Sequence, residues 1–138
     1  MSRYAALLFV VLAVLVGCSS GGSSSPGTAA TTSAAPDLIH STLIDLQLPQ
    51  GTRISSHAEG VEIWQPPGTQ AETVADLKPK LPIGKEFDGL KWCGESTDAK
   101  TGTVEWRWSG PGGSVDITVL GNAEFTIERS ATPAAGCA

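Results

Sequence analysis

The clearest pattern of apolar and polar positions lies in the second half of the chain. Within residues 103–109, Val104, Trp106 and Trp108 share one parity while Glu105 and Arg107 take the other, the period-two signature of a strand with one covered face. Val115, Ile117 and Val119 then alternate with Asp116 and Thr118, and Phe125 and Ile127 alternate with Glu124, Thr126 and Glu128. Gly110-Pro111-Gly112-Gly113 and Gly121-Asn122 separate these runs and read as turns. Three consecutive strands with one greasy and one charged face predict an antiparallel meander whose greasy face needs a cover. Upstream, residues 52–57 and 61–64 alternate on either side of Ala58-Glu59-Gly60 and stop before Pro66-Pro67, which predicts a hairpin.

Thr69-Gln70-Ala71-Glu72 has the form of a capping box, with Ala71, Val74, Leu77 and Leu81 at near-helical spacing behind it. Pro79 disfavours helical geometry at Lys78, so the spacing predicts a short helix over 70–78. Asp88-Gly89 marks a turn into Leu90-Lys91-Trp92-Cys93, and residues 38–48 fit neither period. The expected fold is therefore α+β, a small two-layer sandwich in the order β-β-α-β-β-β, with an antiparallel sheet of about five strands and the helix packed on it. No internal repeat points to a solenoid or propeller.

Composition narrows the function classes. Of 138 residues, 41% are hydrophobic and 17% charged, a balance suited to a folded globule. The net charge of −5 gives no basic surface for nucleic acid. The first 36 residues have a different character. Met1-Ser2-Arg3 precedes an apolar run from Tyr4 to Val16, the layout of a secretory signal and too short for a membrane span, which needs about 20 residues. Residues 19–36 contain only Ser, Gly, Thr, Ala and Pro, so they bury too little apolar area to offset backbone entropy. Such a segment has an r.m.s. reach of about 20–25 Å as a flexible tether. Thr31, Thr32 and Ser33 beside Pro36 also allow O-glycosylation.

Leu15-Val16-Gly17-Cys18 resembles the lipobox of bacterial lipoproteins. The resemblance covers only the N-terminal segment. It implies removal of residues 1–17, a diacylglyceryl group on the Cys18 sulfur with fatty chains such as palmitate, and attachment on the extracytoplasmic side of the cell membrane. Two acyl chains hold firmly because each buried methylene contributes about 0.8 kcal/mol. The expected organisation is a signal peptide over 1–17, an acylated cysteine and tether over 18–36, and a globular domain over 37–138. With Cys18 acylated, Cys93 and Cys137 remain of the three cysteines. Outside the cytoplasm they are expected to form a disulfide that ties the tail to the domain.

Four tryptophans in a small chain raise the question of sugar stacking. Trp106 and Trp108 share a face with Val104, so the core is their simpler place. Trp64 beside Pro66-Pro67 and Trp92 beside Cys93 are the candidates for ligand binding, Trp64 being the first choice. Ser55, Ser56, His57 and Glu59 include nucleophile, base and acid types, yet neighbours on a strand diverge to opposite faces, and no strand-turn-helix elbow surrounds either serine. His40 and His57 have no metal-ligand spacing. Glu105, Asp116, Glu124 and Glu128 are expected on a solvated outer sheet face with Arg107 among them. The loop 110–113 lacks the following helix that would cradle a phosphate.

The sequence thus predicts a non-enzymatic, lipid-anchored envelope lipoprotein with no cofactor or catalytic residue, binding an unidentified envelope protein or glycan. A glycan-binding module and a hydrolase using Ser56 or His57 are the alternatives. By class analogy alone, some prophage-encoded lipoproteins of this size act in superinfection exclusion, a reading the sequence neither supports nor opposes.

Overall fold

The computed structural model describes residues 39–137. The leader, Cys18 and the tether expected over 1–36 lie outside the described residues. The elements in chain order are β1 (Arg53–Ala58), β2 (Val61–Gln65), α1 (Gln70–Leu77), a single 3-10 turn (Lys78–Lys80), β3 (Lys91–Thr97), β4 (Val104–Gly110), β5 (Gly113–Val119) and β6 (Phe125–Ser130). All strands join one antiparallel sheet in the order β1-β2-β6-β5-β4-β3. The chain is thus α+β as expected, but its sheet has six strands, and the addition is β3.

Local chemistry accounts for the element ends. Thr69 and Glu72 form the capping box: the Thr69 backbone N–H donates to Glu72 Oε2 at 2.8 Å and the Glu72 N–H donates to Thr69 Oγ1 at 3.4 Å, satisfying donors at the helix start. The helix stops at Leu77 and Pro79 falls inside the 3-10 turn, where its missing N–H does no harm. Its covered stripe is Thr73 and Leu77 with Val74 half-buried, while Ala71 stays exposed. The Thr73 hydroxyl donates to the Thr69 carbonyl at 2.9 Å, which removes the cost of burying it. In the β4–β5 turn, Gly113 has φ +127°, and a Cβ there would lie 2.0 Å from the Ser130 carbonyl oxygen of β6. Only glycine allows that approach.

One sheet face forms the core. Trp106, Trp108, Val115, Ile117, Val119, Phe125 and Ile127 are fully buried on it, so the placement of Trp106 and Trp108 is the expected one. At about 4.8 Å between strands the sheet is roughly 24 Å wide, more than one helix of about 10 Å diameter can cover. The remainder is covered by Leu81 and by residues 39–48, an irregular strap that buries Ile44, Leu46 and Leu48. An isolated bridge between His40 and Gln47 closes the strap on itself. Arg129 of β6 holds it from outside, donating to the Leu43 carbonyl at 3.0 Å and to Asp88 at 2.8 Å.

The opposite face is open and charged. Register aligns Arg107, Asp116 and Glu128 across β4, β5 and β6, and the Arg107 guanidinium bonds both Asp116 and Glu105. Glu124 departs from the expected cluster: it lies in the β5–β6 turn, ahead of the strand, with its N–H donated to Asn122.

A disulfide joins Cys93 of β3 to Cys137, 44 residues on, across a Cα–Cα distance of 5.3 Å. Closing a loop of that length contributes about 4 kcal/mol in the chain-entropy description. The tail it secures has no strand of its own. Its other anchor is Ser109, whose hydroxyl accepts the Ala134 N–H at 2.8 Å while donating to the Gly113 carbonyl at 3.3 Å.

Candidate functional site

Where β3, the β4–β5 turn and the tail meet, a groove of about 360 Å³ opens, with Lys91, Trp92, Pro111, Pro133 and the Cys93–Cys137 disulfide among its walls. Each wall has a separate cause. Trp92 pairs with Trp108 in the β3–β4 register, and the irregularity between Trp92 and Gly94 turns the strand there, as a bulge does at a sheet edge. Pro111 comes from the tight turn and Pro133 from the tail, so the groove depends on the disulfide that holds the tail down.

Trp92 is half-buried and backed by other rings. Its centroid lies 4.8 Å from that of Trp108 at 63°, and Phe87 meets Trp108 at 5.3 Å and 69°, both within the range of favourable edge-to-face aromatic pairs. Trp108 is itself fixed by donating its indole N–H to the Lys85 carbonyl at 3.1 Å. The outermost ring of this cluster is therefore held rigidly while remaining open to solvent on part of its surface. Lys91, the preceding residue of β3, pairs with Ser109 and so points to the opposite sheet face; it is exposed and enters no ion pair among the described residues.

Trp64 is not a surface platform. It is 5% exposed, and its indole N–H donates to Glu62 Oε2 at 3.1 Å. The expectation of an exposed Trp64 is corrected by topology: β6 inserts beside β2 and sets Phe125 opposite Trp64, so β2 lies inside the sheet and that ring joins the core.

Its partner Glu62 is the residue that sequence reasoning missed. Its carboxylate is fully buried on the core face. Oε2 accepts from the Ser41 hydroxyl at 2.7 Å as well as from Trp64, and Oε1 accepts the Thr42 N–H at 2.8 Å and the Thr42 hydroxyl. Burial pushes the carboxyl pKa up, but the bonds from Thr42, Ser41 and Trp64 outweigh it and hold the group below its ordinary value. Three of these four bonds come from the strap, so Glu62 is the pin that fastens residues 41–42 to β2. A usable signal was present. Glu62 and Trp64 are two apart on one strand and share a face, so an inward Trp64 requires an inward Glu62.

The other candidates stay apart. Ser56 and His57 pair with Ile63 and Glu62, so they point to opposite faces, and all six residues of β1 are exposed. Glu59 sits in the following turn, and His40 lies in the strap. Among the described residues no three His, Cys, Asp or Glu side chains cluster as metal ligands. On the open face, the bond from Asp116 and the fields of Glu105 and Glu128 raise the Arg107 pKa, against desolvation, as expected for a solvated ion-pair row. At the sheet edge Lys78 pairs with Glu95 at 2.8 Å and lowers the Glu95 pKa. Set against family models, curated proteins and solved structures, the chain matches none.

Proposed function

We propose that the protein is a lipid-anchored envelope lipoprotein: Cys18 bears the lipid, residues 19–36 form the tether, and the globule is a non-enzymatic binding module on the extracytoplasmic side. The observation that carries this reading is the Cys93–Cys137 disulfide. It accounts for two of three cysteines and leaves Cys18, the lipobox cysteine, as the odd one. A structural disulfide also suits an oxidising compartment. In this reading the two-layer sandwich is a rigid carrier, and the groove beside Trp92 is the surface offered to a partner.

The binding role is supported by a preformed groove bordered by Pro111, Pro133 and the disulfide, together with candidate catalytic side chains that diverge rather than converge. Of the alternatives, the glycan-binding module is the one a specific observation favours, namely the half-buried, rigidly backed Trp92. Detergent phase partitioning of the bacterially expressed protein tests the anchor. The wild type is expected in the detergent phase and a Cys18→Ser variant in the aqueous phase; equal partitioning of the two overturns the anchor.

A further inference from the structure

We propose that residues 39–48 form an acid-released latch: the strap lifts as a unit when Glu62 is protonated, while the sheet beneath it stays folded. Few bonds join the strap to the sheet. Its backbone hydrogen bonds among the described residues, from Ser41 to Leu46, Leu46 to Ile44 and Leu48 to Ile39, are all internal, so lifting it breaks no strand ladder. Its polar bonds to the sheet among the described residues go to two side chains. Arg129 reaches the Leu43 carbonyl at an exposed site, where water competes for the bond, and Glu62 takes the other three, from Ser41 and Thr42. Ile44, Leu46 and Leu48 are the buried apolar side chains of the strap, a small area against the entropy of ordering the whole segment. The bonds to Glu62 therefore decide whether it stays closed.

Protonation removes what the site requires. The carboxylate presents only acceptors, and four donors meet it, whereas a carboxyl hydroxyl is itself a donor. Ser41 Oγ has no room to receive that proton, because it already accepts the Leu43 and Ile44 N–H groups at 3.1 and 3.3 Å. The Trp64 and Thr42 N–H groups can only donate. The Thr42 hydroxyl is the partner left, and it must turn and give up its own bond to Glu62. No charged group compensates: His57 lies opposite Glu62 on β1 and is exposed, Arg129 is committed to Leu43 and Asp88, and His40 and Asp45 of the strap are exposed. Burial pushes the carboxyl up and the four donors bring it below its ordinary value of 4.5, so the latch is closed above that value and opens as pH falls through the lower folded-state pKa. In the lipid-anchored reading the strap is the first described segment after the tether. Its release adds up to about 33 Å of slack between membrane and sheet, at roughly 3.3 Å per residue.

Hydrogen exchange of the full-length protein in detergent micelles, read by NMR at single amides and corrected for intrinsic rates, tests the proposal. At pH 7 the Ser41, Leu46 and Leu48 amides are expected to exchange through one shared opening, faster than the Ile117 and Val119 amides of β5. Between pH 6 and pH 3 the three strap amides are expected to lose protection by at least about tenfold, the effect of one unsatisfied buried group, while β5 stays protected. Glu62→Gln is expected to show the lowered strap protection already at pH 7 and to remove the acid step. Should that variant not fold, Thr42→Val removes one bond and keeps the carboxylate; it is expected to lower strap protection several-fold at pH 7, and wild-type protection in it overturns the proposal. Strap amides that exchange no faster than those of β5, or by unrelated openings, or an acid step that survives in Glu62→Gln, likewise overturn it. Loss of β5 protection together with the strap on acidification overturns it in favour of global unfolding. None of these results alters the detergent partitioning of the protein, so the anchor stands or falls separately.

Discussion

Replacing Glu62 with glutamine changes one oxygen to an amide nitrogen in a fully buried site, and the surrounding donors determine the cost. Each carboxylate oxygen accepts one bond from a hydroxyl and one from a group that can only donate: Oε2 faces the Trp64 indole N–H, and Oε1 faces the Thr42 backbone N–H. A hydroxyl can rotate and accept from an amide NH₂, but an indole or peptide N–H cannot. Whichever way the glutamine amide is turned, one N–H points at another. A buried donor left unsatisfied costs about 1–3 kcal/mol, which for a domain of this size lowers Tm by at least about 4 °C. Thermal and urea unfolding followed by circular dichroism measure this directly. Because the offending contact at the Oε2 end is with Trp64, Trp64→Phe should cost less in the Glu62→Gln background than in the wild type, and a double-mutant cycle reads that coupling.

The same site predicts a pH dependence. The folded-state carboxyl titrates below its ordinary value of 4.5, so its stabilisation is complete above that value and is lost as pH falls through the lower folded-state pKa. Below pH 4.5 the wild type should therefore lose stability more steeply than Glu62→Gln. A Glu62→Gln protein as stable as wild type at pH 7, with an unchanged acid limb, would refute the view that Glu62 pins the strap.

Three further outcomes follow from other parts of the structure. Reducing the disulfide, or replacing Cys93 and Cys137 with serine, should destabilise the domain by up to about 4 kcal/mol in urea titration, and amide exchange should rise over residues 131–137. Acrylamide should quench Trp92 fluorescence while Trp64, Trp106 and Trp108 remain protected, and single Trp→Phe variants assign the accessible ring; a strongly quenched Trp64 would contradict its place beside Glu62. Thr69→Ala should lower stability by about 1 kcal/mol through loss of the capping box, read by chemical unfolding.

The parts of the fold legible in the sequence were those specified locally. β4, β5 and β6 each set apolar residues on one parity and mostly polar, half-buried ones on the other, so periodicity located them and the inward Trp106 and Trp108. The capping box and Pro79 likewise bound α1 within its own few residues. β3 was not legible because it is an edge strand, exposed over Glu95, Ser96 and Thr97 and irregular between Trp92 and Gly94, so no alternation survives in KWCGEST. The strap at 39–48 was illegible for a different reason. Its residues take their place from Glu62, about 20 positions away in sequence, and from an uncovered stretch of sheet that appears only once six strands are assembled. Trp64 was misplaced because a hairpin followed by two prolines resembles a free edge; the insertion of β6 beside β2 is a long-range pairing that no local pattern announces. Of the candidate site, Trp92 was legible as a residue, but its groove was not, since Pro111 and Pro133 reach it only through a turn and a disulfide-held tail.

Intact-mass spectrometry of the protein extracted from bacterial membranes tests the central reading most directly. The expected species is a polypeptide beginning at Cys18 and carrying the added mass of a diacylglyceryl group, with Cys93 and Cys137 two hydrogens short of their free thiols. An unmodified chain that retains residues 1–17 would contradict it.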